Sequence, residues 1–262
     1  MNDWARRRKR IILAIFLFVL LILIGIPVFL FFYEKPTCND LKLNGDETGV
    51  DCGGSCQLLC RAESLPLISK GDPRILTVAT STFEVVALYE NPNNDAQIPR
   101  AAYEIKLYGA MSTIPVKVLE GEVFIPKKDT FAVFVGPFNL DEGVLPTRAT
   151  LEWKKERFLW EKNIEPVAEV SVKFLGISGE ASSPRLEAQV ENLSLEVVSV
   201  VDLVAFIANE QGNIFAASKT FVENLAPGKE TSAIFSWPRP FKDRAIDIRV
   251  FAKVLSDRSY IR

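Results

Sequence analysis

Four cysteines in one short segment are the first residues of this chain whose type and spacing indicate a chemistry. They are Cys38, Cys52, Cys56 and Cys60, with the spacing C-x13-C-x3-C-x3-C. An even number of clustered cysteines predicts two disulfides when the segment is exported, and sequence alone allows three pairings. A zinc site of four thiolates is the alternative, although zinc sites usually contain C-x2-C or C-x4-C pairs. We predict disulfides, which would stabilise a segment too short to bury its own core.

Oxygen-bearing side chains between these cysteines are candidate ligands for calcium. Asp40, Asn44 and Asp51 match positions 1, 5 and 12 of an EF-hand loop, and Asp46 adds a further carboxylate. Lys42 occupies the third position, where an oxygen ligand is required, and no flanking helices are indicated. We therefore predict no EF-hand. Calcium held by these four oxygen-bearing residues is one interpretation, and a polar turn rich in Asn, Gly and Asp is the other.

Several catalytic chemistries are excluded by composition. The chain contains no histidine, which excludes Ser-His-Asp and Cys-His nucleophile pairs and His-containing zinc sites. It also contains no glycine-rich phosphate loop, no G-x-S-x-G elbow and no H-E-x-x-H motif. We therefore predict that the protein is not an enzyme, and an enzyme that uses carboxylates is kept as an alternative.

The apolar run from Ile11 to Tyr33 is 23 residues long and carries no charge. A helix of about 20 residues crosses the hydrocarbon core of a bilayer, and a helix satisfies its own backbone hydrogen bonds there. A cleavable signal peptide has a shorter apolar region, followed by small residues at the cleavage site. The residues after Phe32 offer no such site, so the sequence predicts a retained transmembrane helix over residues 11–33.

A basic cluster before the apolar run predicts the orientation of the helix. It consists of Arg6, Arg7, Arg8, Lys9 and Arg10. By the positive-inside rule, residues 1–10 stay in the cytoplasm and the remainder of the chain is extracytoplasmic, at the cell membrane. That remainder holds 26 of the 31 basic and 32 of the 33 acidic side chains. Its mildly acidic balance suits nucleic-acid backbones poorly, so we predict no nucleic-acid partner.

Beyond the cysteines the sequence predicts β-structure. Residues 61–74 are interrupted by Pro66, Gly71 and Pro73 and are predicted to be a linker. From residue 75 onward, short segments alternate apolar and polar residues between turn signals. The predicted fold class is mainly β, with one N-terminal transmembrane helix, a small disulfide module at 36–60, and two tandem antiparallel β-sandwiches at 75–160 and 166–262.

The two predicted sandwiches share an internal repeat at an offset of 101 residues. Ala87, Glu90 and Asn91 recur as Ala188, Glu191 and Asn192. Six further identities fall in one short span, where Pro126, Lys128, Thr130, Ala132, Phe134 and Pro137 recur as Pro227, Lys229, Thr231, Ala233, Phe235 and Pro238. We interpret this pattern as a duplicated domain, divided near residues 161–166.

Two stretches of the chain resemble known families. The segment NGDETGVDCGGSC, followed by a further cysteine, resembles a short Cys-rich motif of exported and surface proteins of many bacteria. The N-P-N turn, the Y-x-I-x-L-Y strand and the P-x-K-x-T-x-A-x-F strand resemble FxLYD and late-embryogenesis-abundant-like β-sandwich domains, which are immunoglobulin-like. The first resemblance implies a bacterial, exported and modular protein. The second implies a sandwich fold without catalytic residues.

Together these observations predict a single-pass, membrane-anchored extracytoplasmic protein that acts as a non-enzymatic binding, adhesion or spacer module. The expected partners are the membrane and another envelope or surface protein. One alternative is an accessory subunit of an envelope complex, such as a secretion or pilus assembly. Trp153, Trp160 and Trp237 would suit carbohydrate stacking, but we predict that they pack in the core.

Overall fold

One α-helix followed by fourteen β-strands is found in residues 2–32, 37–164 and 168–255, the residues that this computed structural model describes. The mainly β class with a single N-terminal apolar helix confirms the predicted fold class. The chain divides into two units, Met1–Gly54 and Ser55–Arg262, and each is described by itself.

The first unit contains helix α1, which spans Asn2–Phe32. Within it, the segment Arg6–Val28 is long and apolar enough to cross a bilayer, and none of it is buried. A signal sequence near the N-terminus can pass the same test of length and composition. The predicted end of the apolar run, Tyr33, lies outside the described residues.

The second unit is built from short strands joined by turns. Their bounds are β1 Ile68–Ser69, β2 Arg74–Ala79, β3 Thr82–Glu90, β4 Ala96–Tyr108, β5 Pro115–Ile125, β6 Thr130–Asn139, β7 Arg148–Trp153, β8 Glu161–Lys162, β9 Val170–Ser178, β10 Arg185–Asn192, β11 Val198–Ala208, β12 Ile214–Leu225, β13 Glu230–Ser236 and β14 Asp247–Leu255.

Strands β1 to β8 form two antiparallel sheets that enclose a common core. In one sheet, β3 pairs with β6 along one edge and with β1 and β2 along the other. In the second sheet, β4 pairs with β5 along one edge and with β7 and β8 along the other. Alternate residues of β3 point into the core between the sheets, where Val85, Ala87 and Tyr89 meet Ile105 and Leu107 of β4.

Strands β9 to β14 repeat this arrangement. One sheet has the order β13-β10-β9 and the other the order β12-β11-β14. Leu186, Ala188 and Val190 of β10 pack against Leu203 and Ile207 of β11 in a second buried core. Each half of the second unit is therefore a pair of sheets with its own core.

The two halves also pack face to face through their inner sheets. Val86 of β3 and Ala132 of β6 lie in a third buried cluster with Val204 and Phe206 of β11 and Ala217 of β12. Strands β3 and β11 are thus buried on both faces, so their sequences are nearly continuous apolar runs rather than simple alternations. This cluster joins the four sheets of the second unit into one stack.

The first sandwich begins earlier in the chain than the predicted boundary at residue 75. The Leu59 N–H donates to the Trp160 carbonyl (2.8 Å), which places part of the predicted 36–60 module on this sandwich. In the predicted 61–74 linker, Leu65 bonds the Asn93 side chain through both its N–H (2.7 Å) and its carbonyl (2.9 Å), and β1 follows. A strand of two residues is too short to show alternation, which explains why the sequence pattern missed it.

Both sandwiches are fastened at one end by a fully buried asparagine. Asn91 donates through its side-chain amide to the carbonyls of Ala96 (2.8 Å) and Pro126 (2.7 Å). Its Oδ1 accepts hydrogen bonds from the Asn93 N–H (3.0 Å) and the Asn93 amide (2.8 Å). Asn192 is buried to the same extent in the second sandwich. The side chains of these two asparagines are therefore buried and hold the ends of neighbouring strands together, rather than lying in exposed loops.

Candidate functional site

The candidate calcium ligands lie in one loop of the first unit, where the Asp40 and Asp51 carboxylates bond to the loop's own backbone. Asp51 Oδ1 accepts the N–H groups of Asp40 (2.9 Å) and Leu41 (3.1 Å). Asp40 Oδ1 accepts the Lys42 N–H (3.0 Å), and its Oδ2 accepts the Asn44 amide (2.9 Å). The Asn44 hydrogen bond is the main reason that the pKa of Asp40 lies below its usual value.

These hydrogen bonds form a turn that is closed by carboxylates. This agrees with the polar-turn interpretation of the segment between the cysteines. Asn44 Oδ1 is buried and, within the described residues, has no hydrogen-bond partner, whereas Asp46 is exposed. An unpaired buried oxygen is compatible with a cation, but the neighbouring carboxylate oxygens already accept N–H donors. Calcium binding by Asp40, Asn44, Asp46 and Asp51 stays a prediction.

All four cysteines are disulfide-bonded and none is free. Cys56 and Cys60 are also buried. The two disulfides agree with the sequence prediction, and they leave no thiolate for the alternative zinc site.

The predicted basic cluster lies in the first turns of α1. Arg6, Arg7, Arg8, Lys9 and Arg10 are all exposed. The Arg8 guanidinium lies 5.3 Å from the centre of the Trp4 ring, a cation–π contact of the kind common at bilayer interfaces. The cluster thus lies directly before the uncharged run that begins at Ile11.

A buried carboxyl group that sequence reasoning did not single out lies at the junction of the two sandwiches. Glu84 of β3 is 8% exposed. The pairing of β3 with β6 shifts at this point, because Gly136 and Pro137 both lie opposite Glu84 between the pairs Phe83–Phe138 and Val85–Val135. Such a β-bulge redirects the strand locally and is frequent beside functional sites.

Gly136 is required for this arrangement. Its φ is +132°, and a Cβ atom there would lie 2.9 Å from Cγ of Glu84 and 3.0 Å from the Phe83 carbonyl oxygen. A larger residue at this position would press on the Glu84 side chain and on the β3 backbone. The bulge therefore provides the space in which the Glu84 side chain sits.

Glu84 lines a cavity of about 360 Å³, within the size range of small-molecule sites. The cavity lies between strand β2 of the first sandwich and strand β12 of the second, under the loop that follows β13. Its lining is mostly apolar and includes Leu76, Phe215, Trp237, Pro238, Pro240 and Phe241. Trp237 is fixed by its Nε1–H, which donates to the Ala217 carbonyl (2.7 Å).

Burial without a partner raises the pKa of Glu84 from 4.5 to about 7. Among the described residues, no hydrogen bond or ion pair reaches its carboxyl group. The other charged residues of the cavity are Arg239, Lys242 and Asp243, which are exposed at its rim. Asp243 accepts a hydrogen bond from the Asn209 amide (3.2 Å).

The raised pKa of Glu84 predicts a pH-dependent stability. Between pH 4.5 and about 7, the folded protein holds a proton that the unfolded chain has released, so the free energy of unfolding falls as the pH rises. Glu84→Gln is expected to remove this slope and to stabilise the protein at neutral pH by about 1–3 kcal/mol. Denaturant titrations of the full chain in detergent, made below the range in which Lys253 titrates, measure the slope.

Glu142→Gln is the control, because Glu142 is exposed in the β6–β7 loop. It should keep the wild-type slope. An unchanged slope in Glu84→Gln would mean that Glu84 is not buried without a partner.

A second buried ionisable group lies elsewhere on the same junction. Lys253 of β14 is 6% exposed and lines a smaller cavity of about 110 Å³. Its ammonium is 3.5 Å from the Ala132 carbonyl of the other sandwich, and burial lowers its pKa to about 8. Lys219 and Asp202 form an ion pair (2.7 Å) at the same cavity. The cavity is too small for a sizeable ligand, so we assign Lys253 to the sandwich interface.

Sequence reasoning missed Glu84 and Lys253 because both occupy the polar positions of alternating strands, which normally face water. In β3, however, Val86 and Leu88 share the face of Glu84. Apolar residues beside a single acid on one strand face are a signal that the face is covered.

The tryptophans pack as the sequence predicted. Trp153 and Trp160 belong to the core of the first sandwich, with Trp153 edge-on to Tyr89 (5.1 Å between ring centres). Trp237 packs in the second core and also lines the Glu84 cavity.

Comparisons with known proteins give no family. No protein-family model matches the chain, and no curated protein matches it. Among solved structures, the chain is similar to red sea bream transglutaminase, with 13% sequence identity and a TM-score of 0.23, over 71% of this chain and 29% of that chain. The chain therefore spans less than a third of that structure. A TM-score this low supports no conclusion about fold or activity.

Proposed function

We propose that this protein is a single-pass membrane protein whose paired β-sandwiches form a non-enzymatic, extracytoplasmic binding module. The observation that carries the proposal is the exposed apolar segment Arg6–Val28, which has a basic cluster at its N-terminal end. A segment this long and apolar, none of which is buried among the described residues, needs a bilayer or an equivalent apolar surface.

Two further features support export of the second unit. The four cysteines are all in disulfides, which persist in oxidising compartments and are rare in the cytoplasm. The basic cluster favours a cytoplasmic N-terminus by the positive-inside rule. The resemblance of the Cys-rich motif to exported bacterial proteins supports a bacterial envelope as the setting. We propose another envelope or surface protein as the partner.

Topology is tested by adding protease to intact cells that express the full chain. The proposal expects the β-sandwich unit to be digested while a cytoplasmic marker stays intact, and a fragment containing α1 to remain in the membrane after alkaline extraction. Release of the second unit into the medium, with a mature N-terminus beyond residue 33, would show a cleaved signal peptide instead of a retained helix. Protection of the β unit in intact cells would reverse the orientation.

The basic cluster offers a sharper test of orientation. Replacing Arg6, Arg7, Arg8, Lys9 and Arg10 with serine is expected to reduce the fraction of molecules whose β unit is accessible to protease. The control variant carries serine in place of Lys35 and Arg61, which follow the apolar run. It should leave the accessible fraction unchanged or raise it.

A carboxylate-dependent enzyme is the second candidate, because Glu84 and Asp243 both line the larger cavity. Acid–base hydrolysis needs two carboxyl groups held at a defined separation. Here only Glu84 is buried, and Asp243 is exposed and bonded to Asn209. Turnover of chromogenic glycosides or esters by the wild type, lost in Glu84→Gln, would favour the enzyme over the binding module.

A further inference from the structure

The Glu84 cavity contains a carboxyl group that the fold itself leaves without a partner. Buried acids are normally paired, because an isolated charge in an apolar site is costly. Glu84 is 8% exposed, and no hydrogen bond or ion pair from a described residue reaches it. Ordinary packing would favour an apolar residue on this face, as at Val86 two positions along β3. A donor that enters from outside would satisfy the carboxylate.

The walls around Glu84 suit the apolar and cationic parts of a ligand. The Phe241 ring lies edge-on to Phe215 (5.4 Å between ring centres) and to Trp237 (5.2 Å). Aromatic side chains attract a cation through their ring faces and provide apolar contact to its carbon body. Aromatic cages recognise ammonium groups by this attraction, and a buried carboxylate adds a charge-assisted hydrogen bond to the same group.

We propose that this cavity binds an ammonium group carried on an apolar body, with Glu84 as its counter-ion. The ammonium would donate to the Glu84 carboxylate, and its carbon body would contact the aromatic wall of Phe215, Trp237 and Phe241. An anionic ligand would meet a buried carboxyl group, and a neutral apolar ligand would leave that group unpaired.

The charged residues at the rim are compatible with this ligand. Arg239, Lys242 and Asp243 are exposed, so water and salt screen their fields, whereas the field of Glu84 acts in a drier environment. Arg239 and Lys242 together with Asp243 give the rim one net positive charge. Inside the cavity, the single positive charge of a monoamine balances the single negative charge of Glu84.

Two sources could supply the same chemistry: a free aralkyl amine, or a lysine side chain of a partner protein. This inference rests on the proposed binding role and names the ligand class of that module. It does not depend on the topology of the helix. If the topology experiment failed but the amine still bound selectively, the proposed membrane orientation would be wrong and the proposed binding site would stand.

The test compares phenethylamine with 2-phenylethanol, which has a similar body but no charge. Both are titrated calorimetrically into the full chain in detergent at about pH 8, above the pKa of Glu84, with micelle blanks. We expect the amine to bind at least about tenfold more tightly than the alcohol. Glu84→Gln should bring the two affinities to within about twofold, and Glu142→Gln should preserve the difference.

A second arm distinguishes the sources. A short peptide with lysine beside phenylalanine, blocked at both ends, is compared with the same peptide carrying acetyl-lysine. Preferential binding of the lysine peptide over phenethylamine supports a protein partner, and the reverse supports a small amine. Amine binding that survives unchanged in Glu84→Gln, or no binding of either probe, would overturn the proposal. Thermal unfolding of Glu84→Gln checks that the variant is folded.

Discussion

Asn192→Ala is expected to lower the free energy of unfolding by about 3–5 kcal/mol. Asn192 is fully buried and donates to the carbonyls of Glu196 (2.8 Å) and Leu225 (2.8 Å). Its Oδ1 accepts the Ser194 N–H (2.9 Å) and the Ser194 hydroxyl (2.6 Å). Alanine removes all four bonds at once and leaves the Leu225 carbonyl and the Ser194 N–H without their partner, each of which costs about 1 kcal/mol or more when water cannot reach it. The Glu196 carbonyl keeps the Ser194 hydroxyl as a donor (3.1 Å).

Asn192→Asp separates the lost hydrogen bonds from the lost volume. Aspartate has nearly the same shape, but it places a second oxygen against the Glu196 and Leu225 carbonyls. We expect it to be at least as destabilising as alanine near neutral pH and less so in acid, because the protonated form regains one donor. Denaturant titrations followed by tryptophan fluorescence measure both variants in the full chain.

Asn213→Ala is the matched control, because Asn213 is exposed in the β11–β12 hairpin and its side chain makes no hydrogen bond with a described residue. Its effect should stay within about 0.5 kcal/mol. Asn91→Ala should resemble Asn192→Ala, since Asn91 makes the same set of bonds. Losses below about 1 kcal/mol at both buried positions would contradict this account of the turns.

Strand positions were predictable from the sequence because each strand has one face in a core. The sequence pattern predicts strands over Tyr103–Leu107, Val116–Ile125 and Ala149–Trp153. The first segment falls within β4, the second matches β5 to within a residue, and the third lies within β7. Period-2 patterns report such half-buried strands well.

The face that each strand presents was less predictable, and the internal repeat shows why. Thr130 and Thr231 match in sequence, but Thr130 pairs with Glu90, whereas Thr231 pairs with Val190 and its neighbour Glu230 takes the place opposite Glu191. The sequence match is therefore displaced by one residue from the pairing.

That displacement exchanges the two faces of the strand. Ala132 lies in the cluster between the sandwiches, whereas its sequence counterpart Ala233 lies inside the second core. A one-residue shift has this effect because the side-chain period of a strand is two. Both faces of β6 are apolar, so the pattern of residues alone could not fix the register.

The same cause hid the candidate site. Glu84 sits at a position that would face water in a single sandwich, and it is buried only because the second sandwich covers the sheet. That contact joins residues more than a hundred positions apart, such as Val86 and Phe206. No local pattern reports such a pairing, although the apolar residues on both faces of β3 and β11 indicate that something covers them.

Phe206→Asp is expected to separate the two sandwiches and to destabilise the second unit by at least about 4 kcal/mol. Phe206 is 1% exposed, packs on Phe251 with 5.2 Å between ring centres, and lies in the cluster shared with Val86 and Ala132. The substitution removes a large buried ring and places a carboxylate in an apolar interface. Phe→Ala changes in cores already cost about 3–5 kcal/mol.

The cooperativity of unfolding is the more informative readout. In each sandwich, the sheet that faces the other sandwich has apolar residues on that side, and the other sandwich buries them. The second unit of the wild type should therefore unfold in a single transition. Phe206→Asp should give two transitions, with faster protease cleavage between β8 and β9.

Phe221→Asp is the matched control, since Phe221 lies on the same face of the neighbouring strand and is 56% exposed. It should keep the single transition. Two transitions in the wild type would mean that the face-to-face packing adds little stability, and the Glu84 cavity would then lose the rigid walls that its binding role requires.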